Sequence, residues 1–429
     1  MNSITTQVDA RAFNDSASYS FYDTSSANSS SGGYFRAASV GQYIYFAPYY
    51  NYVTSQYHGV VMRYDTTEVF DLSGSYAFFD MASVNASAKG YKGVTTDGKY
   101  LYFSPFFNGV IHGMIARYNT SADFNAPSSY DFYDVSGMNS SAKGLYGNVF
   151  DGRYVYFVPN GNYESSYPGV VVRYDTTGAF NSPESYSFYD ISGLNASAKG
   201  FTGAIFDGIS VYFVPYNGGN SGVVARYSTT ADFNTASSYE FFDLTGVNAN
   251  AKGFLGGGYA KGFVYFSPYY NGAEYHGLAC RYNISQPFNV TGSFSCFDIA
   301  AIDTEAKGFS GVEWDGQYVY FVPLQNSAPA FHGRIAQYNT SLPFNISGSY
   351  QVYDTEALNA NSHGFRGAIY KFNYIYFVPY NNAQITRMEP YNSSVQIVSM
   401  PGLDLMETAA IFILTAAYTR IRYFPIRIF

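Results

Sequence analysis

Tyr100-Leu101-Tyr102-Phe103-Ser104-Pro105 is an apolar run ending on a proline, and its Tyr-Phe-x-Pro core occurs seven times, with prolines at Pro48, Pro105, Pro159, Pro215, Pro268, Pro323 and Pro379. The intervals are 57, 54, 56, 53, 55 and 56 residues, so one unit of about 55 residues has been copied along nearly the whole chain.

Superposing the copies gives four short apolar runs per repeat, which in the second copy cover residues 91–96, 100–105, 113–118 and 130–134. Asp-Gly separates the first run from the second in four copies (Asp97-Gly98, Asp151-Gly152, Asp207-Gly208, Asp315-Gly316). That dipeptide is a strong hairpin signal, expected here as a type I′ turn, so the two runs pair antiparallel. The second run is apolar on both faces (Tyr154, Val155, Tyr156, Phe157, Val158), as befits a covered strand, and its proline marks where the chain leaves the ladder. The third run reads Val-Val-x-Arg-Tyr and the fourth Ser-Tyr-x-Phe-Tyr-Asp. No stretch before residue 403 keeps a helical period.

The expected fold is all-β: a seven-bladed β-propeller with four antiparallel strands per blade. An open β-solenoid is the rival, but it would use shorter rungs and no long excursion between the third and fourth strands. Over about residues 10–400 the repeats resemble the β-propeller superfamily. They lack the Trp-Asp and Gly-His signature of one large subfamily, so the resemblance implies the fold and transfers no catalytic or ligand residues.

Seven fourth-strand segments end at Asp23, Asp80, Asp134, Asp190, Asp243, Asp298 and Asp354, and the first precedes any repeat. The last repeat offers only a poorer match at 394–400. Residues 19–23 are therefore expected to complete the seventh blade and tie the ring shut. This makes 1–400 the propeller and 401–429 a C-terminal hydrophobic extension.

Charged residues are 13% of the chain, against 47 Tyr, 38 Phe and 41 Gly. The composition suggests a surface dressed with Tyr, Asn, Ser and Gly, as in adhesive and assembling extracellular proteins. A net charge of -8 without a basic cluster argues against nucleic acid as a partner. Residues 1–10 show no basic segment followed by an apolar core, so no signal peptide is visible. Eleven Asn-x-Ser/Thr sequons stand at Asn14, Asn28, Asn85, Asn119, Asn139, Asn195, Asn283, Asn289, Asn339, Asn345 and Asn392, and they favour an extracellular or cell-surface location. Cys280 and Cys296 fall in the third and fourth strands of the fifth repeat. They are either a small apolar pair or, if the register sets them opposite, a cross-strand disulfide.

Because strand direction alternates, the loops that enter the first strand and those between the second and third share one face, here called upper. It carries Lys89, Lys143, Lys199, Lys252 and Lys307, the histidines His58, His112, His276 and His332, and aromatic loops such as Tyr49-Tyr50, Phe106-Phe107 and Tyr269-Tyr270. Such a ring of cations and aromatic planes suits a neutral or anionic glycan. The histidines sit one per blade, which speaks against a shared metal.

Six repeats have Arg in the third strand (Arg63, Arg117, Arg173, Arg226, Arg281, Arg387; Gln337 is the exception). With the strand-end Asp they are expected to form an ion-pair belt. Departures from the repeat are sharper pointers. Near the start of the first strand six copies have Gly (Gly93, Gly147, Gly203, Gly256, Gly311, Gly367) and one has Arg36. Glu313 is the only acid in the middle of a first strand. Arg36, Lys92 and Arg366 from neighbouring blades either form a basic patch at the upper mouth of the channel or plug the pore. Glu313 has no acidic partner in equivalent strands, and no nucleophile–base pair, metal spacing or phosphate loop is visible. Neither catalysis nor a cofactor is expected.

The extension contains an apolar run at 408–419, too short to span a bilayer as a helix, and then a segment alternating in part between Arg and apolar residues. Ile411, Phe412, Ile413, Leu414, Ile421, Tyr423, Phe424, Ile426, Ile428 and Phe429 are its candidate assembly residues. Strand addition to the outer edge of another subunit's blade would cover both surfaces. The functional expectation is a non-enzymatic extracellular protein that self-assembles into a filament or coat through its tail and Tyr-rich faces. The alternative is a glycan-binding propeller using the upper face.

Overall fold

The computed structural model describes residues 12–161 and 167–390. Seven four-stranded antiparallel sheets are present, each running from an innermost first strand to an outermost fourth, in chain order in six of them. Blade two is typical: Tyr91–Thr96, Tyr100–Pro105, Met114–Asn119 and Tyr130–Asp134. The molecule is a seven-bladed β-propeller. Its seventh blade takes Phe365–Lys371, Tyr374–Pro379 and Gln384–Met388 from the end of the ring and Tyr19–Asp23 from its beginning, with Tyr19 opposite Met388 and Asp23 opposite Gln384. The Glu389 amide donates to the Ser18 carbonyl at 2.8 Å and the Thr24 hydroxyl to the Ala383 carbonyl at 2.9 Å, so both ends of this join are latched.

The Asp-Gly hairpins form, but not with two residues at positive φ. Gly98 has φ 91° and Gly152 106°, whereas the aspartates keep negative φ. The aspartate side chain replaces the missing backbone geometry: Asp97 Oδ1 accepts the amides of Lys99 and Tyr100 at 2.8 and 2.6 Å. Its Oδ2 accepts the Tyr102 hydroxyl at 2.8 Å, and Asp151, Asp207 and Asp315 do the same for Tyr156, Tyr212 and Tyr320 at 2.7 Å.

Tyrosine is a core residue here, which corrects the expectation of a Tyr-dressed surface. All twelve of the largest fully buried side chains are tyrosines, and among the described residues only Tyr52 and Tyr259 count as exposed. Many of the buried hydroxyls are satisfied locally, although those of Tyr91 and Tyr265 meet no partner among the described residues. In six blades the tyrosine opening the fourth strand donates to the carbonyl of a phenylalanine six residues back, as Tyr130 does to Phe124, at 2.7 to 3.0 Å. A hydrogen bond made this way spares the burial cost of an unpaired hydroxyl, roughly 1–3 kcal/mol.

The same phenylalanines join blade to blade. The Arg63 guanidinium lies 4.4 Å from the Tyr43 ring of its own blade and 4.5 Å from Phe124 of the next. Arg117, Arg173, Arg281 and Arg387 repeat the sandwich, Arg387 closing the ring onto Phe70. The expected ion-pair belt is thus not what forms. All seven strand-end aspartates instead cap a short 3-10 turn, accepting the amide two residues on at 2.9 to 3.1 Å. The ion pair that does reach one of them, Arg334–Asp354 at 3.2 Å, uses a different arginine. Arg117 and Arg226 do pair with carboxylates, but with Asp131 and Glu240 opposite them in the fourth strand and not with the strand-end aspartates, so the feature shared around the ring is the aromatic stacking.

Cys280 and Cys296 stand directly opposite in register and are disulfide-bonded. Asn392, residues 394–400 and the whole candidate assembly tail lie outside the described residues.

Candidate functional site: the propeller axis and its upper cap

Two rings of first-strand residues line the upper axis. The higher ring is Phe35, Lys92, Tyr146, Thr202, Leu255, Ser310 and Arg366, the least repetitive column of the repeat. The ring beneath is Arg36 with the six glycines. A register shift in the first strand falls at this point in six blades. Such bulges re-aim side chains.

The glycine ring is a narrow waist, and Arg36 fills it. A Cβ at Gly93 would lie 2.7 Å from the Gly147 Cα, so the blades approach too closely for any side chain. The Arg36 side chain crosses the axis from blade one: a Cβ at Gly311 would lie 3.0 Å from Arg36 Nη1, and one at Gly367 3.1 Å. At Gly256 the clash with Nη2 would be closer still. One arginine and six glycines are therefore complementary, because the space cleared by the glycines holds a single long side chain. Burial lowers the Arg36 pKa from its ordinary value.

Above the waist, Lys92 and Arg366 point into an aromatic cap. The Lys92 ammonium lies 3.6 Å from the Phe106 ring centre, 4.7 Å from Tyr49 and from Tyr146, and 5.1 Å from Phe35. Arg366 stacks at 4.6 Å from Tyr380 and 4.8 Å from Phe35, and donates to the Tyr146 hydroxyl at 3.0 Å. Burial, then the charge of Arg366, holds the Lys92 pKa well below its usual value. Phe35, Tyr49, Phe106, Tyr146 and Leu255 are all at least nine-tenths buried, so the cap shuts the upper end of the axis. The three cations thus occupy two layers, with Arg36 in the waist and Lys92 and Arg366 above it.

The histidines are wedges inside the upper loops. Each is buried and meets the first aromatic of its blade edge-on, as His58 meets Tyr34 at 5.7 Å and His332 meets Phe309 at 5.9 Å. His332 Nε2 donates to the Lys307 carbonyl at 2.7 Å while its Nδ1 accepts the Arg334 amide at 3.2 Å, which fixes the neutral tautomer. His58, His112 and His276 face the equivalent backbone without closing a bond of normal geometry. Burial pushes all four down to about 4. Lys89, Lys199, Lys252 and Lys307 are half-buried beside them and Lys143 is exposed.

Turn chemistry accounts for most of the sequons. Asn28, Asn85, Asn139 and Asn195 accept the amide two residues on, and so do Asn248, Asp303 and Asn359, which occupy the same turn without a sequon. Asn119, Asn283 and Asn339 serve another turn in the same way. Asn14, Asn289 and Asn345 are exposed, each following a buried phenylalanine.

Below the waist the axis opens into a cavity of about 180 Å³ lined by Arg36, Asn148, Val312 and Glu313 among others. A further space of about 210 Å³ continues past Val312 and Glu313 to Tyr259 and Trp314 at the lower mouth. The Glu313 carboxyl is enclosed but keeps partial access to this space, and burial pushes it up to about 7 although the Tyr370 and Trp314 amides and Arg36 pull the other way. Among the described residues no three His, Cys, Asp or Glu side chains gather as a metal would require, and no helix is long and apolar enough to cross a membrane. The sequence could have shown the cap residues, since the ring holding them is the one column that never repeats. It gave no sign that Asn148 and Trp314 share a cavity with Arg36 and Glu313.

No family model matches the chain, and no curated protein matches it. Among solved structures, it is similar to a catalytically inactive virginiamycin B lyase from Staphylococcus aureus with quinupristin, at TM-score 0.57 and 12% identity, covering 86% of this chain and 99% of that one. The computationally designed Ika8 protein aligns at TM-score 0.44 and 8% identity, over 84% of this chain and 96% of that one. At such identities the likeness to the lyase concerns the fold alone. The architecture is that of a β-propeller fold.

Proposed function

We propose that this propeller is a non-enzymatic binding protein whose upper face takes a glycan. The observation that carries this reading is a collar of half-buried aromatic rings around the closed cap, including Tyr57, Phe107, Tyr216, Tyr270, Tyr275 and Phe331. Loop tips rise beyond it, with Tyr52, Val53 and Val110 exposed by 41, 82 and 66%. Half-exposed rings backed by a rigid aromatic layer offer stacking planes to sugar rings at little entropic cost, and Lys143 with the loop asparagines supplies polar contacts at the rim. The Cys280–Cys296 disulfide and the exposed Asn14, Asn289 and Asn345 are consistent with an extracellular setting. A glycan array on the full chain tests the reading, with Tyr57→Ala and Tyr270→Ala as variants. Binding should appear in the wild type and fall at least tenfold in both; an array silent for the wild type sinks it.

Self-assembly is the second reading, supported by the seven outermost strands of five residues, each with an edge paired to no strand within its own sheet. Truncation before Pro401 should convert filaments or large oligomers into single rings in electron micrographs. Unchanged assembly after truncation would remove the tail from the mechanism.

A further inference from the structure

Arg36 and Glu313 are the two sharpest departures from the first-strand repeat, and they come from blades one and six. The ring brings both to one cavity. Two independent exceptions converging on a single space are unlike a random scatter of substitutions. The Arg36 guanidinium makes no hydrogen bond or ion pair with any described residue, although the waist holds it rigidly among glycines. Two other polar atoms of lining residues, Asn148 Oδ1 and Trp314 Nε1, are buried without a protein partner. Because the aromatic cap seals the upper end, access is from the lower mouth past Tyr259 and Trp314.

We propose that this cavity is a binding site for a small monocarboxylate carrying a hydroxyl or carbonyl group, with Arg36 as the anion anchor and Glu313 and Asn148 as partners for the second polar group. The guanidinium fork matches a carboxylate in geometry and charge. A volume of about 180 Å³ admits on the order of six heavy atoms at the ~30 Å³ that each occupies in liquid water. A single guanidinium beside a carboxyl group disfavours a dianion, which separates carboxylate from phosphate. The carboxyl of Glu313, which burial keeps protonated below about pH 7, donates to the ligand's oxygen in that form, while Asn148 Oδ1 accepts from a hydroxyl. This site is independent of the upper-face glycan reading.

The chain's only tryptophan is Trp314, so its emission reports on the cavity directly. Acetate, glycolate, lactate and pyruvate, with phosphate as a separate arm, are titrated into the full chain to about 50 mM, well above the millimolar range expected for ligands this small. Calorimetry runs in parallel. Saturable one-to-one binding of at least one hydroxy- or keto-acid is expected, tighter than acetate, with at least a tenfold loss in Arg36→Gly and a smaller loss in Arg36→Lys. Arg36→Gly restores the residue of the other six blades, and a thermal melt confirms that the ring still closes. Glycan binding by the same variants keeps the two proposals apart. No saturation by any carboxylate, equal binding by Arg36→Gly, or binding of phosphate alone overturns the inference.

Discussion

The arginines at the rim and those on the axis are the same residue put to opposite uses. Five rim arginines sit between an aromatic ring of their own blade, a tyrosine in four and Phe263 for Arg281, and a phenylalanine of the next, at centroid distances between 3.9 and 4.5 Å. The environment is copied with the repeat, so its role is to hold blades together. Arg36 and Arg366 have no copies, and each depends on neighbours that other blades lack: glycines for one, an aromatic cap for the other. Repetition marks scaffold, and its breakdown marks candidate function.

The largest effect expected of the repeated set is acid unfolding. A histidine pushed from 6.5 to about 4 stabilises the fold fully above pH 6.5, and this contribution is lost as pH falls towards 4, because the unfolded chain takes up the proton first. Each contributes up to about 3 kcal/mol, so four together reach at most about 12 kcal/mol, on the scale of a whole domain's stability. Urea midpoints measured from pH 8 to pH 4 should fall steeply below about 6.5. Replacing all four by serine, the residue blade four carries at Ser221, should flatten that limb. A wild type as stable at pH 4.5 as at pH 7.5 would contradict the buried-wedge assignment.

Glu313, from the unrepeated set, should show the reverse sign with a smaller size. Its carboxyl is raised from 4.5 to about 7, so the penalty is absent below pH 4.5, grows between these values and is complete above 7. Glu313→Gln should therefore stabilise the protein at pH 8 by up to about 3 kcal/mol and leave it unchanged at pH 4. Equal stability of the two proteins at pH 8 would mean that the carboxyl is solvated in the channel.

How much of this the sequence carried depends on the same division. Blade number, strand order and closure through Tyr19–Asp23 followed from the Tyr-Phe-x-Pro spacing and the orphan fourth strand, because repeats declare themselves by copying. The fate of polar groups did not follow. Tyr130 reads as the first residue of an apolar strand, but nothing in that run tells that its hydroxyl meets the Phe124 carbonyl six residues back, a contact set by loop geometry. Asn85 reads as a glycan acceptor, yet Asn248 and Asp303 make the same turn bond. Arg173 and Asp190 read as ion partners because both recur once per blade. Recurrence carries no information about which of two neighbours a side chain faces.

That last pair gives a direct comparison of the two electrostatic arrangements. Arg173 stacks at 4.2 Å from Tyr154 and 4.3 Å from Phe233, while Asp190 caps its turn through the Ser192 amide at 3.0 Å. Arg173→Ala should cost about 2 kcal/mol through lost ring contact and stem packing. Asp190→Ala should cost about 1 kcal/mol as a lost cap. Since neither side chain is the other's partner, the double variant should lose the sum of the two, with a coupling below about 0.5 kcal/mol in urea melts. A coupling above 1 kcal/mol would restore the ion-pair belt and remove the distinction between rim and axis on this blade. Independence would place the blade-to-blade attraction on aromatic faces, which salt screens far less than a surface ion pair, so the Arg173→Ala loss should persist at about 1 M NaCl.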